Sequence, residues 1–218
     1  MCGRGRLAKT AFMKAIVGIV GILVIAVVAY VGLQYRKIQE AATGPAREIV
    51  SEDVKKTGDT WHLSFVSKFD APIDKVWNAF THPEQMKQWA PDNVLKSDII
   101  KEEGNTKQLD LVGKSDVLPP GFKVQNIVTE YTIYPDEHRI VTKTVDFKLA
   151  DINSEYKFEP TPDGKGTILK FTGTSKDKAP MIVESLQKGA LREQYITQVR
   201  AANKAMGLAA ADTKGGAS

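Results

Sequence analysis

Residues 179–206, APMIVESLQKGALREQYITQVRAANKAM, decide the fold. Pro180 suits a first helical turn, where its missing N–H would have no intrahelical partner. No other proline interrupts the run before Gly207, a residue fitted to a left-handed C-cap. The predicted helix is about 40 Å long at 1.5 Å per residue, enough to cross a small domain. Its apolar residues do not form a single stripe. At roughly 100° per residue, Ile182, Val183, Leu186 and Ala190 share one face, while Leu191, Tyr195, Val199, Ala202 and Met206 share a nearly opposite one. Gly189 sits at the change. The reading is one continuous helix whose halves bury different sides, with a kink at Gly189 as the competing account.

Ahead of this helix the period changes from helical to two. Trp61, Leu63 and Phe65 alternate with His62, Ser64 and Val66, the pattern of a half-buried strand over Trp61–Phe69. His62 therefore points away from the apolar face. Further strands are expected at Val94–Glu102, Lys107–Val112, Lys123–Tyr134, Arg139–Leu149, Asn153–Glu159 and Thr167–Thr174. Gly104-Asn105, Pro135-Asp136 and Pro162-Asp163-Gly164 supply turns between them. Between the first and second strands, Ile73, Val76, Trp77 and Phe80 fall on one side of a helix opened by Pro72. Thr81 with Glu84 three residues on reads as a capping box for a second short helix ending near Trp89, and His82 as a residue of local geometry. Together these predict an α+β domain over 60–207: seven antiparallel strands, two short helices after the first, and the long C-terminal helix. Leu118-Pro119-Pro120-Gly121 is the least regular connection, a candidate lip over the sheet.

The amino-terminal region belongs to another class. Ala15 to Leu33, AIVGIVGILVIAVVAYVGL, has no charge in nineteen residues, about 29 Å of helix against a hydrocarbon core of about 30 Å. It is longer than the apolar part of a cleaved signal peptide, so a retained signal anchor over 15–35 is expected, after a basic segment at 1–14. Arg4, Arg6, Lys9 and Lys14 precede the span and Arg36 and Lys37 follow it, which favours the N-terminus inside and the domain outside. In a bacterium this is a single-pass inner-membrane protein with a periplasmic domain. Residues 36–59 read as a polar linker broken at Gly44-Pro45, and 208–218 as a disordered tail.

The overall charge of +4 derives from that N-terminus, and the remainder is close to neutral. This argues against nucleic acid as the domain's ligand, because phosphate binding needs a basic surface. The single cysteine, Cys2, excludes an internal disulfide and a cysteine-rich metal site. Three scattered histidines offer no ligand spacing, so no metal or cofactor is expected.

The run Phe69-Asp70-Ala71-Pro72, Val76-Trp77-Asn78-Ala79-Phe80-Thr81, Pro83-Glu84 and Trp89 resembles the opening signature of the helix-grip superfamily. This group is called SRPBCC or START-like and includes lipid-transfer domains and the polyketide cyclase/dehydrase type. The resemblance spans about Thr60 to Met206. It implies a curved sheet gripping the C-terminal helix around an apolar cavity, in a superfamily that hosts carriers, sensors, cyclases and chaperone activators.

Strand alternation turns Leu109 and Leu111, Ile127 and Tyr131, Val145 and Phe147, and Tyr156 and Phe158 toward that cavity. Leu186 and Ala190 would close it from the helix, with Trp89 near its mouth. No nucleophile–base set or phosphate loop is present, and catalytic residues are not assigned. Lys143 has an inward register but reads better as an edge lysine. The expected function is a membrane-anchored module that binds or transfers a lipid or other hydrophobic small molecule. The alternatives are a cyclase or hydrolase of the same superfamily, and a protein-interaction module with a filled core. The oligomeric state is left open.

Overall fold

The computed structural model describes residues 46–115, 118, 123–178 and 184–208, together with Leu33, Arg36 and Glu40. The expected span at 15–33 lies outside the described residues apart from Leu33, as does the tail beyond Leu208. Among the described residues no helix is long and apolar enough to cross a membrane.

One antiparallel sheet organises the domain: β1 (Ser51–Thr57), β2 (Thr60–Phe69), β3 (Val94–Glu103), β4 (Thr106–Lys114), β5 (Val124–Tyr134), β6 (Arg139–Asp146), β7 (Ala150–Pro160) and β8 (Thr167–Asp177). Helices α1 (Ile73–Phe80) and α2 (Met86–Trp89) follow β2, and α3 (Glu184–Ala205) closes the domain. The spatial order is β1-β2-β8-β7-β6-β5-β4-β3. All neighbours but one are consecutive hairpins. The exception, β2 on β8 from Thr60↔Lys176 to Phe69↔Thr167, joins the two ends of the fold.

The sheet has eight strands where the sequence predicts seven. The additional strand, β1, falls in the stretch read as linker. Its sequence, SEDVKKT, holds one apolar residue, Val54, and shows no alternation. As an edge strand it needs only one partner and keeps most side chains exposed. Gly58, at φ +61°, permits the two-residue Gly58-Asp59 turn into β2.

Thr81 is also corrected. It does not open α2 but ends α1, its hydroxyl donating to the Trp77 carbonyl at 3.1 Å. His82 Nδ1 contacts the Asn78 carbonyl at 2.8 Å, the local role expected. Glu84, free of any capping duty, lies 3.8 Å from Lys107.

α3 runs unbroken through Gly189 and ends at Gly207, whose φ of +68° lets its N–H reach Lys204 O and that of Leu208 reach Asn203 O, both at 3.0 Å. Ile182 and Val183 lie outside the described residues. Tyr195, Val199, Ala202 and Met206 are buried in the core shared with the sheet. Phe65, fully buried on β2, stacks on Tyr195 with centroids 4.5 Å apart, and Trp77 and Phe80 meet Phe158 edge-on at 5.4 and 5.0 Å. Such pairs add about 0.5–1.5 kcal/mol each beyond area burial.

The segment entering the sheet is tied to α3 by charge. Arg192 Nε donates to Glu52 Oε2 at 2.7 Å and Arg200 Nε to Glu48 Oε1 at 2.6 Å. The Tyr195 hydroxyl donates to Ser67 Oγ at 2.7 Å, and Ser67 Oγ to the Glu48 carbonyl.

Candidate functional site: a cavity between the sheet and the C-terminal helix

At one end of the domain the aromatic core fills the space under α3. Toward the other, sheet and helix leave a cavity of about 220 Å³. Leu111, Ile127, Phe147, Leu149, Ile152 and Leu191 give its wall an apolar character. Among the described residues its charged side chains are Lys114 and Glu193, where the end of β4 meets α3. Glu193 Oε2 there accepts a hydrogen bond from Ser115 Oγ. Among the described residues no group of three His, Cys, Asp or Glu side chains could hold a metal ion.

The rest of the wall is neutral and polar. β5 contributes Thr129 and Tyr131, β6 Thr142 and Thr144, β7 Ser154, and α3 Gln187, Gln194, Thr197 and Gln198. Some of these groups are already paired. Tyr156 donates to Gln198 Oε1 at 2.6 Å, and Thr144 Oγ1 accepts from the Ile152 N–H at 2.9 Å. Gln187 Nε2 donates to Asp177 Oδ1, while Asp177 Oδ2 lies 3.3 Å from Lys56 Nζ on β1. Among the described residues Tyr131 has no such partner. Burial pushes its phenol up to about 12 and drives that of Tyr156 well above its ordinary value, with the neighbouring Tyr131 adding to the effect. Both phenols stay protonated at neutral pH and serve as donors.

Of the residues predicted from the sequence, Leu111, Ile127, Tyr131, Phe147, Tyr156 and Ala190 meet at this cavity. Trp89 instead borders a smaller space of about 30 Å³ that also touches Tyr131 and Tyr156. Leu109 and Phe158, at 0% and 2% exposure, belong to the solid core. The side chain of Leu186 lies outside the described residues. Val145 is a correction: it is 52% exposed. The ladder between β5 and β6 shifts register between Val128↔Asp146 and Thr129↔Thr144. Ile140, Thr142 and Thr144 face inward before this irregularity, and Phe147 and Leu149 after it. Strict alternation through the shift placed Val145 on the wrong face. Lys143, also on the outer side, is exposed.

The sequence reading missed the polar part of the wall. Ile140-x-Thr142-x-Thr144 carried the signal, but Val141 and Val145, in register with Lys143, drew the apolar reading to the other face. Leu118, in the candidate lip, is buried and touches the cavity, while Pro119, Pro120 and Gly121 lie outside the described residues.

An antiparallel sheet packed on a long C-terminal helix, with a ligand-sized cavity between them, defines a helix-grip domain of the START-like superfamily. Residues 60–201 match the family described as polyketide cyclase/dehydrase and lipid transport, and the chain belongs to that family. Strand β1 lies outside the matched region. Solved structures agree in fold. The protein TTHA0849 of Thermus thermophilus superposes with a TM-score of 0.59 at 15% identity, over 69% of this chain and 99% of that one. A START superfamily protein from Mycobacterium smegmatis gives 0.54 at 15% identity, over 68% and 99%. The Zhui aromatase/cyclase of a Streptomyces species gives 0.53 at 14%, over 66% and 95%. No curated protein matches the sequence.

Proposed function

We propose that this chain is a membrane-tethered module that holds a hydrophobic small molecule between its sheet and α3. The cavity carries the reading: about 220 Å³ stands open beside a tightly packed core. Protein interiors otherwise pack to crystal density, and open volume costs stability unless something fills it. The tether is the uncharged run at 15–33, with basic residues favouring a periplasmic domain on a bacterial inner membrane. A tethered domain suits a local acceptor or sensor, drawing a lipid or apolar metabolite from the adjacent bilayer, better than a free carrier.

The cyclase alternative draws on the likeness to an aromatase/cyclase, which is a likeness of fold. Among the described residues the interior wall has no carboxylate, imidazole or ammonium beyond Lys114 and Glu193, and its protonated phenols cannot act as bases at neutral pH. A filled-core interaction module fits poorly with an open cavity.

Native mass spectrometry of the full chain released from detergent, followed by solvent extraction, tests the proposal. A co-purifying apolar molecule is expected. A bare mass, with no uptake of a hydrophobic fluorescent probe, would reject it.

A further inference from the structure

Three hydroxyl-bearing residues of the cavity wall stand in one line across the sheet. Tyr131 on β5 is register partner to Thr142 on β6, and Thr142 to Ser154 on β7. The three residues are 8%, 6% and 8% exposed, and all border the cavity. No hydrogen bond joins their hydroxyls to another described residue. None of the three oxygens is fully enclosed by protein, so they are open to the cavity, where buried residues normally find a polar partner. Tyr156 shows the contrast: its hydroxyl, equally deep, is satisfied by Gln198.

We propose that this row is the polar subsite of the ligand cavity, and that it reads an uncharged oxygen (ketone, ester, ether or alcohol) within an otherwise apolar molecule. The inference rests on the cavity being a ligand site, as argued above. Its chemistry selects neutral ligands. The row offers hydroxyl donors and no cation, and the strand N–H groups beneath it are engaged in the ladder. Lys114, the lysine of the wall, is paired in the ladder with Val124. Val124 stands seven residues from Tyr131 along β5, roughly 23 Å at 3.3 Å per residue. A carboxylate or phosphate at the row would be buried without a counter-charge, which is strongly unfavourable. The facing helix adds the neutral groups Gln194, Thr197 and Gln198, and its charged wall residue, Glu193, is an anion held by Ser115 and supplies no counter-charge. Free fatty acids and phospholipid headgroups are thereby disfavoured at this position, while a neutral oxygen can accept from one or more of the three hydroxyls.

The test compares three naphthalenes by titration calorimetry on the full chain in detergent. They are 2-acetylnaphthalene, 2-isopropenylnaphthalene (the same shape with CH2 in place of oxygen) and 2-naphthoate. Each is titrated into wild type, Tyr131→Phe and Thr142→Val. Partition of a given probe into micelles is common to all three proteins and cancels between them. For the comparison between probes, each affinity is corrected for that probe's partition measured in protein-free micelles. In wild type the ketone should bind roughly tenfold tighter than the alkene, the effect of one good hydrogen bond, and naphthoate weaker than the ketone. Each substitution should cut the ketone-to-alkene ratio to about threefold or less. Two variants are used so that a folding defect in one does not decide the result. Equal binding of ketone and alkene, tightest binding of naphthoate, or an unchanged ratio in both variants would overturn the proposal while leaving the cavity reading intact. Failure of all three probes to bind would overturn the cavity reading, and the subsite with it.

Discussion

Leu109 and Leu111 stand two residues apart on the same face of β4, and a period-2 reading treats them alike. The structure separates them. Leu109 is 0% exposed within the main core, whereas Leu111 is partly buried and borders the cavity. Leu109→Ala removes methyl groups that are packed on every side, so the loss combines the transfer free energy with a new void. Closed sites of this kind lose about 3 kcal/mol or more. Leu111→Ala only enlarges a space that is already open, and part of its side chain gains little from burial. About 1 kcal/mol is expected there. At roughly 3 °C per kcal/mol for a domain of this size, Tm should fall by about 9 °C for Leu109→Ala and about 3 °C for Leu111→Ala. Thermal unfolding of the full chain in detergent, followed by far-ultraviolet circular dichroism, measures both. Leu111→Ala should in addition change the affinity for a hydrophobic probe. Equal losses, or a larger loss at Leu111, would refute the division into packed core and open cavity.

Further outcomes follow from charge and close approach. Burial raises the phenols of Tyr131 and Tyr195 from 10.0 to about 12. Their contribution to stability is therefore complete below pH 10 and is lost as pH rises through 12, because the unfolded chain ionises first. Absorbance near 295 nm should show three late-titrating tyrosines, because the Tyr156 phenol is also raised well above its ordinary value by burial, and Tyr195→Phe should reduce the alkaline loss. At Glu48, burial alone would raise the carboxyl, but the hydrogen bond and charge of Arg200 outweigh it and the pKa is lowered. The stability this group contributes is present above its unfolded pKa and disappears as pH falls through the folded one. Acidification should thus loosen the segment ahead of β1, read as faster hydrogen exchange at the Val50 N–H, which bonds Val66 O at 2.7 Å. Arg200→Gln should flatten that pH dependence. At Gly166 an added Cβ would lie 2.9 Å from the Phe69 carbonyl oxygen and 3.1 Å from a Thr161 methyl. Gly166→Ala should cost about 1–3 kcal/mol in urea unfolding, and a neutral result would mean that the turn shifts freely.

The sequence by itself determined the fold class and seven of the eight strands. It also determined the continuity of α3 through Gly189, because these are repeating patterns: period 2 in the strands, an uninterrupted helical run, turn residues where the pattern breaks. Tyr131, Ile127, Leu111 and Tyr156 were placed inward correctly for the same reason. What only the tertiary structure decided lies where no local pattern exists. Strand β1 forms because β2 offers it an edge, not because SEDVKKT favours extension. Val145 faces outward because one irregularity in the β5–β6 ladder reverses the alternation after Thr144. Leu109 and Phe158 became core, and Leu111 and Phe147 cavity wall, by where α3 crosses the sheet, and alternation cannot encode that. The row Tyr131, Thr142 and Ser154 draws one residue from each of three strands, so its existence depends on cross-strand register, a relation between segments that none of them carries alone.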